Sequence, residues 1–352
     1  MRILFFTQKI DKDDDVLGYT YYLVQAFSKQ FSQITVISLF PSSETLPINV
    51  RLFSLRKSGE RGLFSKLQAF FRFFQLIIQE RKNYDAIFVH MNEIYAALGG
   101  WFFRLTHKPV FLWKTSCYKP GLLLRFSTFF LQGVFTSTRE TFQLQSAPIY
   151  PVGHGIQTEL FSSPSEKKRD TLLFLGRITH VKKIENIITG YYASHATELL
   201  QIIGEAKSET DRKYLSSLKE KISVGNNEKE VLFLGAKPYN AIPFYFQKAE
   251  ILFNFTPKGS FDKSVLEAMA AGCLVLTSNP SFLPLIPKKW QGYLFIKNNE
   301  KADQVGKAID TLLSLKEIEK EEMRKYFREL VVREHSVEHL AEAIYEVMFN
   351  FS

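Results

Sequence analysis

Three charged side chains open the stretch KGSFDKSVLEAMAAGCLVLTSN, residues 258–279. Asp262 and Lys263 are adjacent, and Glu267 follows four positions after the lysine, about one helical turn on. SVLEAMAA reads as a helix, and CLVLTS, beyond Gly272, reads as a strand. A helix beginning here presents free backbone N–H groups around Ser260 to Lys263, and its dipole favours an anion. Gly259 lets the backbone come close to a ligand. Asp262 can cap the helix. A carboxylate at Glu267 can accept from a pair of sugar hydroxyls, as the acid of dinucleotide folds does from ribose. The set suits a nucleoside diphosphate. The plainer alternative makes Asp262 an ordinary cap and Glu267 a solvated side chain, and on this stretch alone that alternative is favoured.

A second charged segment lies upstream, in LLFLGRITHVKK (172–183). An apolar run ends in Gly176, Arg177 follows, and Lys182 comes later in the same loop. Open α/β sheets bind ligands at the C-terminal ends of their strands. An arginine there can grip a phosphate with two N–H groups, and a lysine can act on it as a point charge. The competing account is a solvated basic loop.

Short apolar runs alternating with helical patterns must carry these residues. ILFFT (3–7), ITVISLF (34–40), AIFVHM (86–91), VFLWK (110–114), GVFTS (133–137) and IYPVG (149–153) read as buried strands. TLLFLG (171–176), LLQIIG (199–204), VLFLG (231–235), ILFNF (251–255), CLVLTS (273–278) and GYLFI (292–296) form a second series. Continuous apolar strands separated by helices predict parallel sheets covered on both faces. Two series predict two doubly wound domains, 1–162 and 163–335, joined through the polar, proline-bearing FSSPSEKKRD (161–170). A last helix, about 336–352, is expected to pack back on the first domain.

A chain of 352 residues is long for one core. The net charge of +9 points to an anionic partner: phosphate, membrane surface or nucleic acid. No aromatic and glycine pattern of an RNA-binding sheet appears, so nucleic acid is set aside. Cys117 and Cys273 match no metal or redox spacing and read as reduced thiols. MRILFF is too short for a signal peptide, and no window reaches ~18 apolar residues. The expected place is the cytoplasm, at most on the inner membrane face.

The order strand, Gly-Arg, four residues, Lys, and later a glycine-bearing loop running into V-L-E-A-M-A-x-G, resembles the retaining family-four GT-B glycosyltransferases. MRILFFTQKIDKDDDVLGYTYYLVQAFSK, YDAIFVHMN, VFTSTRETF and VGHGIQTELF fit the same template in order, so the resemblance spans nearly the whole chain. Its most specific part is VLEAMAAG. The resemblance implies a GT-B fold of two Rossmann-like domains and sugar transfer from a nucleoside-diphosphate donor to a glycan or lipid-linked acceptor. It also implies retention of configuration, and neither cofactor nor divalent metal. Arg177 and Lys182 would neutralise the diphosphate, and Glu267 would hold the ribose. The loop Gly259, Ser260, Phe261, Asp262, Lys263 would line the donor, and Gly18 would approach the phosphate.

Two departures stand out. The family's usual first glutamate falls on Gly259, which leaves Asp262 or Lys263 to work near the transferred sugar. Its frequent histidine after the strand ending near Trp113 falls on Ser116, which leaves His90 or Lys114 for acceptor chemistry. A nucleotide-sugar epimerase on the same fold, or a binding module that has lost turnover, are the rival readings.

Other patterns carry less. Asp13 and Asp15 form a D-x-D in the first loop, read as solvated without a second ligand set. His335 and His339 lack the glutamate placement of H-E-x-x-H and read as surface histidines. The run KEIEKEEMRK reads as a solvated helix face. Residues 53–82 interleave Arg56, Lys57, Arg61, Lys66, Arg72, Arg81 and Lys82 with Phe64, Leu67, Phe70, Phe71, Phe74 and Ile78. That helix either lies on an anionic membrane or packs into the core with a basic outer face.

Overall fold

The computed structural model describes residues 1–57, 62–115, 120–144, 146–162, 169–224 and 229–351. Ser116, Cys117 and Arg61 lie outside the described residues. The chain forms two compact units, residues 1–155 with 335–352, and residues 156–334. The passage between them falls after Gly155, ahead of the polar stretch that the sequence suggested.

The first unit contains β1 (Arg2–Thr7), α1 (Tyr19–Gln30), β2 (Gln33–Ser38), β3 (Val50–Ser54), α2 (Leu63–Gln79), β4 (Ala86–His90) and α3 (Ile94–Leu105). It continues with β5 (Val110–Trp113), α4 (Leu122–Ser127), a 3-10 turn Thr128–Phe130, β6 (Gly133–Thr136) and β7 (Ile149–Pro151). The seven strands are all parallel, in the order β3-β2-β1-β4-β5-β6-β7. β1 shows why its residues form a doubly covered strand. Leu4 and Phe6 join one core with Phe73, Leu76, Tyr95 and Phe103. Ile3 and Phe5 join the other with Leu23, Phe27, Leu340 and Ile344. Side chains two apart share a face, so a strand covered on both must be apolar throughout.

The second unit contains β8 (Thr171–Leu175), α5 (Ile184–Ala193), β9 (Leu199–Ile203), α6 (Glu209–Val224), β10 (Val231–Gly235), α7 (Ile242–Lys248), β11 (Ala249–Asn254) and α8 (Lys263–Ala270). Then come β12 (Leu274–Thr277), α9 (Lys288–Leu294), α10 (Ala302–Leu313) and α11 (Glu317–His335). Its five strands are parallel, in the order β10-β9-β8-β11-β12. Helix α12 (Val337–Phe349) buries Leu340, Ile344 and Met348 against the first unit beside α1.

Two expectations are corrected, and one strand was missed. GYLFI is not a strand: residues 288–294 are helical, Trp290 and Leu294 face inward at a spacing of four, and only Phe295 bridges to Thr277. The run is too short for its composition to tell helix from strand. β3 escaped notice because it is an edge strand with an exposed arginine, Arg51, and partly buried neighbours. His335 is not a surface histidine; it is buried and lies where a side chain on Gly153 would be. No helix among the described residues is long and apolar enough to cross a membrane.

Candidate active site

The order of the second sheet reverses between β8 and β11. In such sheets the crevice beyond the C-terminal ends of those strands receives the ligand. The loop after β8 carries Arg177 and Lys182; the loop after β11 runs through Gly259 into α8. Gly176 donates its N–H to Ile203 O (3.0 Å) and Ile178 donates to Glu205 O (3.1 Å), which fixes the backbone on both sides of Arg177. Arg177 is exposed and makes no ion pair among the described residues.

Asp262 organises the loops. It occupies the N-cap position of α8, yet its carboxylate does not cap the helix. This corrects the expectation, and the physical reason is a stronger set of partners. Lys182 Nζ lies 2.7 Å from Oδ1, which also accepts from Ser260 Oγ at 3.2 Å. Oδ2 accepts from Asn254 Nδ2 (2.7 Å) and Thr256 Oγ1 (3.0 Å). Burial pushes this carboxyl up, but the Lys182 ammonium and these donors outweigh it and hold it below the usual range. Asn279 Nδ2 donates to Thr256 Oγ1 (2.9 Å), and Thr277 Oγ1 donates to Asn254 O (2.9 Å), so the ends of β11 and β12 are tied to the same cluster. One Nζ–H of Lys182 is spent on Asp262; the ammonium has three.

Lys263 and Glu267 pair along the inner face of α8, Nζ to Oε1 at 3.1 Å. Tyr239 OH donates to the same oxygen at 3.0 Å, and the ammonium sits over the Tyr239 ring, 4.3 Å from its centre. Glu267 is therefore buried, not solvated, and both contacts fall on Oε1. Burial lowers the Lys263 pKa, and Glu267 opposes the shift. Gly259 has a left-handed backbone (φ +90°), and its N–H goes to Ser281 Oγ at 2.9 Å. Phe261 is buried with its ring stacked on Phe282, centres 4.8 Å apart, so it supports the loop from behind. The sequence reading missed Asn254, Thr256, Asn279 and Tyr239. Asn254 had a signal, a lone amide within the apolar strand ILFNF.

In the first unit, His90 ends β4 and is 1% exposed. Its Nδ1 lies 3.2 Å from Thr7 Oγ1 and its Nε2 lies 2.5 Å from Tyr19 OH. Burial raises the Tyr19 pKa. Both ring nitrogens of this buried side chain are thus engaged, one by Thr7 and one by Tyr19. Lys114 Nζ donates to Met91 O (3.0 Å) and pairs with Glu93 Oε2 (2.7 Å). It thereby braces Met91, whose φ of 65° is uncommon without glycine. Gly18 is in right-handed helical backbone at the start of α1, and its N–H goes to Asp14 O. Asp13 lies with Asp11 and Glu44, within 4.8 Å between ligand atoms; Asp15 is not in the group. Lys9 pairs with Asp11 and Lys12 with Glu44.

Residues 156–330 match the family model described as Glycosyl transferases group 1. The chain is similar in structure to HepE of Anabaena, solved with UDP and glucose: TM-score 0.74, 13% identity, 99% of this chain and 100% of that one. It is similar to a sucrose-phosphate synthase of Thermosynechococcus elongatus, TM-score 0.73 and 15% identity over 100% of both chains. It is also similar to a trehalose-6-phosphate synthase studied for glycosyltransfer with retention, TM-score 0.71 and 11% identity over 99% of both. No curated protein matches the sequence. At these identities the likenesses establish the fold, GT-B with two parallel-sheet units.

Proposed function

We propose, from the premise that the second unit is a glycosyl transferases group 1 domain and the chain a GT-B glycosyltransferase, the following reaction. A sugar passes from a nucleoside-diphosphate donor to a glycan or lipid-linked acceptor, with retention and without a metal. The observation that carries this is the set of cations at the β8 and β11 ends, with Glu267 one turn into α8. As the bond between the anomeric carbon and the diphosphate oxygen breaks, negative charge gathers on the leaving group. Fixed cations meet it without reorganising. Arg177 grips the diphosphate from the loop after β8. Lys182, aimed by Asp262, gives its remaining N–H groups to phosphate oxygens. Glu267 takes the ribose hydroxyls, with Tyr239 and Lys263 holding its other edge. Asp262 or Lys263 stands nearest the transferred sugar, and Lys114 serves the acceptor side. UDP in HepE makes a uridine nucleotide sugar the first donor to try, and retention rests on the trehalose-6-phosphate synthase likeness. The working place is the cytoplasm, at most on the inner membrane face.

The test is slow hydrolysis of a panel of nucleotide sugars by the full chain, with and without a chelator. Hydrolysis that survives the chelator is the expected result. Activity lost to chelator and restored by magnesium or manganese would overturn the metal-free site. Interconversion of sugars would mean an epimerase; binding without turnover would mean a binding module.

A further inference from the structure

Helix α2 has two apolar faces, and only one is covered. Ala69, Phe73, Leu76 and Ile77 enter the core. Leu63, Phe64, Leu67, Phe70, Phe71 and Ile78 are exposed, Phe64 at 72% and Phe71 at 63%. At about 100° per residue the exposed stripe lies roughly opposite the buried one. The helix is thus corrected from the core-packing account, in which these phenylalanines are inside.

The bare face continues onto its neighbours. Phe74 meets Trp101 of α3, ring centres 6.3 Å apart. Gly100 of α3 lies so close to the Phe130 ring that a Cβ there would be 2.3 Å from it, which joins α3 to α4 and its 3-10 turn. Trp101, Leu105, Leu122, Phe126 and Phe129 are all exposed. Water-exposed apolar surface spanning three adjacent helices marks a docking site. The charge pattern says for what. Across α2, α3, α4 and the 3-10 turn there is no acidic residue, while Lys66, Arg72, Arg104 and Arg125 are present and exposed. Among the described residues, the acids flanking these helices are paired, Glu80 with Arg51 and Glu93 with Lys114.

We infer that the α2–α3–α4 face seats the protein on an anionic lipid bilayer, with the aromatic and leucine side chains in the headgroup boundary and the four cations on lipid phosphates. Aromatic and leucine side chains with Lys and Arg and no acid are the composition of interfacial helices. Such a seat would bring a lipid-linked acceptor to the proposed transferase, but it stands on the surface alone. The experiment needs no nucleotide, so its failure leaves the donor site untouched.

The full chain is sedimented with vesicles of phosphatidylglycerol and phosphatidylcholine in equal parts, and with phosphatidylcholine alone, at low and high salt. Binding to the anionic vesicles that falls with salt is expected. Lys66→Glu with Arg72→Glu should weaken it by at least about tenfold. Phe64→Ser with Phe71→Ser should weaken it as much, and because those side chains are largely exposed, both variants keep the wild-type circular dichroism spectrum. Indifference of the wild type to anionic vesicles at low salt would overturn the inference. So would unchanged binding in both variants, or a dimer in sedimentation equilibrium that the serine variant disperses while vesicles recruit nothing.

Discussion

Gly204→Ala is expected to cost about 3 kcal/mol or more and to loosen the loop that presents Arg177. Gly204 follows β9 at φ +150°, where L side chains rarely sit, and such strain costs of order 1–3 kcal/mol. A Cβ placed there would lie 1.8 Å from Gly176 O and 2.9 Å from Gly176 C. Those are backbone atoms and cannot rotate aside, so overpacking adds about 1–3 kcal/mol. The strand ends must part, which pulls on the Gly176–Ile203 hydrogen bond beside Arg177. Gly235 is the control. It also has positive φ, +69°, but open space around it. Gly235→Ala should cost only about 1–2 kcal/mol, the penalty of a left-handed non-glycine residue. Urea unfolding of the two variants checks this, and equal losses would mean that the close approach is not as described.

Glu250→Ala is expected to cost about 3–5 kcal/mol, the usual result of removing one partner from a buried ion pair. Glu250 sits at the start of β11, at the other end of the strand from Asn254. It faces Arg324 at 2.6 Å and Lys320 at 3.1 Å, both on α11 and both nearly buried. Glu317 and Glu321 also reach Arg324, from exposed positions. Without Glu250, Lys320 keeps, among the described residues, only Glu317 at 3.8 Å. Replacing Glu250, Lys320 and Arg324 together by leucine or methionine should recover most of the loss, because it removes the stranded charges. A single-variant loss under about 1 kcal/mol in urea unfolding would contradict this account. The network also explains why KEIEKEEMRK misled: two of its charges, Lys320 and Arg324, are not solvated but clamp the helix to the sheet.

Much of the fold was legible because parallel strands announce themselves as unbroken apolar runs. Among the described residues, eleven of the twelve strands fall on such runs; β3, the exception, lies at an edge, with Arg51 exposed and its neighbours half-buried. Residues 292–296 failed for the converse reason, since five apolar residues suit a buried helix end as well as a strand. At the site, the charged residues were visible and their partners were not. Lys182 and Asp262 are eighty positions apart, and nothing local marks them as a pair. Asp262 looked like a cap because aspartate before a helix usually is one; only the fold brings Lys182, Asn254 and Thr256 to it. The burial of His90 was not visible either, because burial does not show in a residue's type.

Titration calorimetry in metal-free buffer tests the central claim most directly, using the nucleoside diphosphate of whichever sugar the enzyme hydrolyses. Arg177→Ala is the cleanest variant, since the side chain is exposed and the fold does not need it. Lys182→Ala removes the cation that Asp262 aims. The account predicts that each loses about 1.5–3 kcal/mol of binding, roughly tenfold to a hundredfold and more in affinity, the worth of a charge-assisted hydrogen bond. Wild-type affinity in both variants would contradict it, and the donor diphosphate would then have to bind elsewhere in the chain.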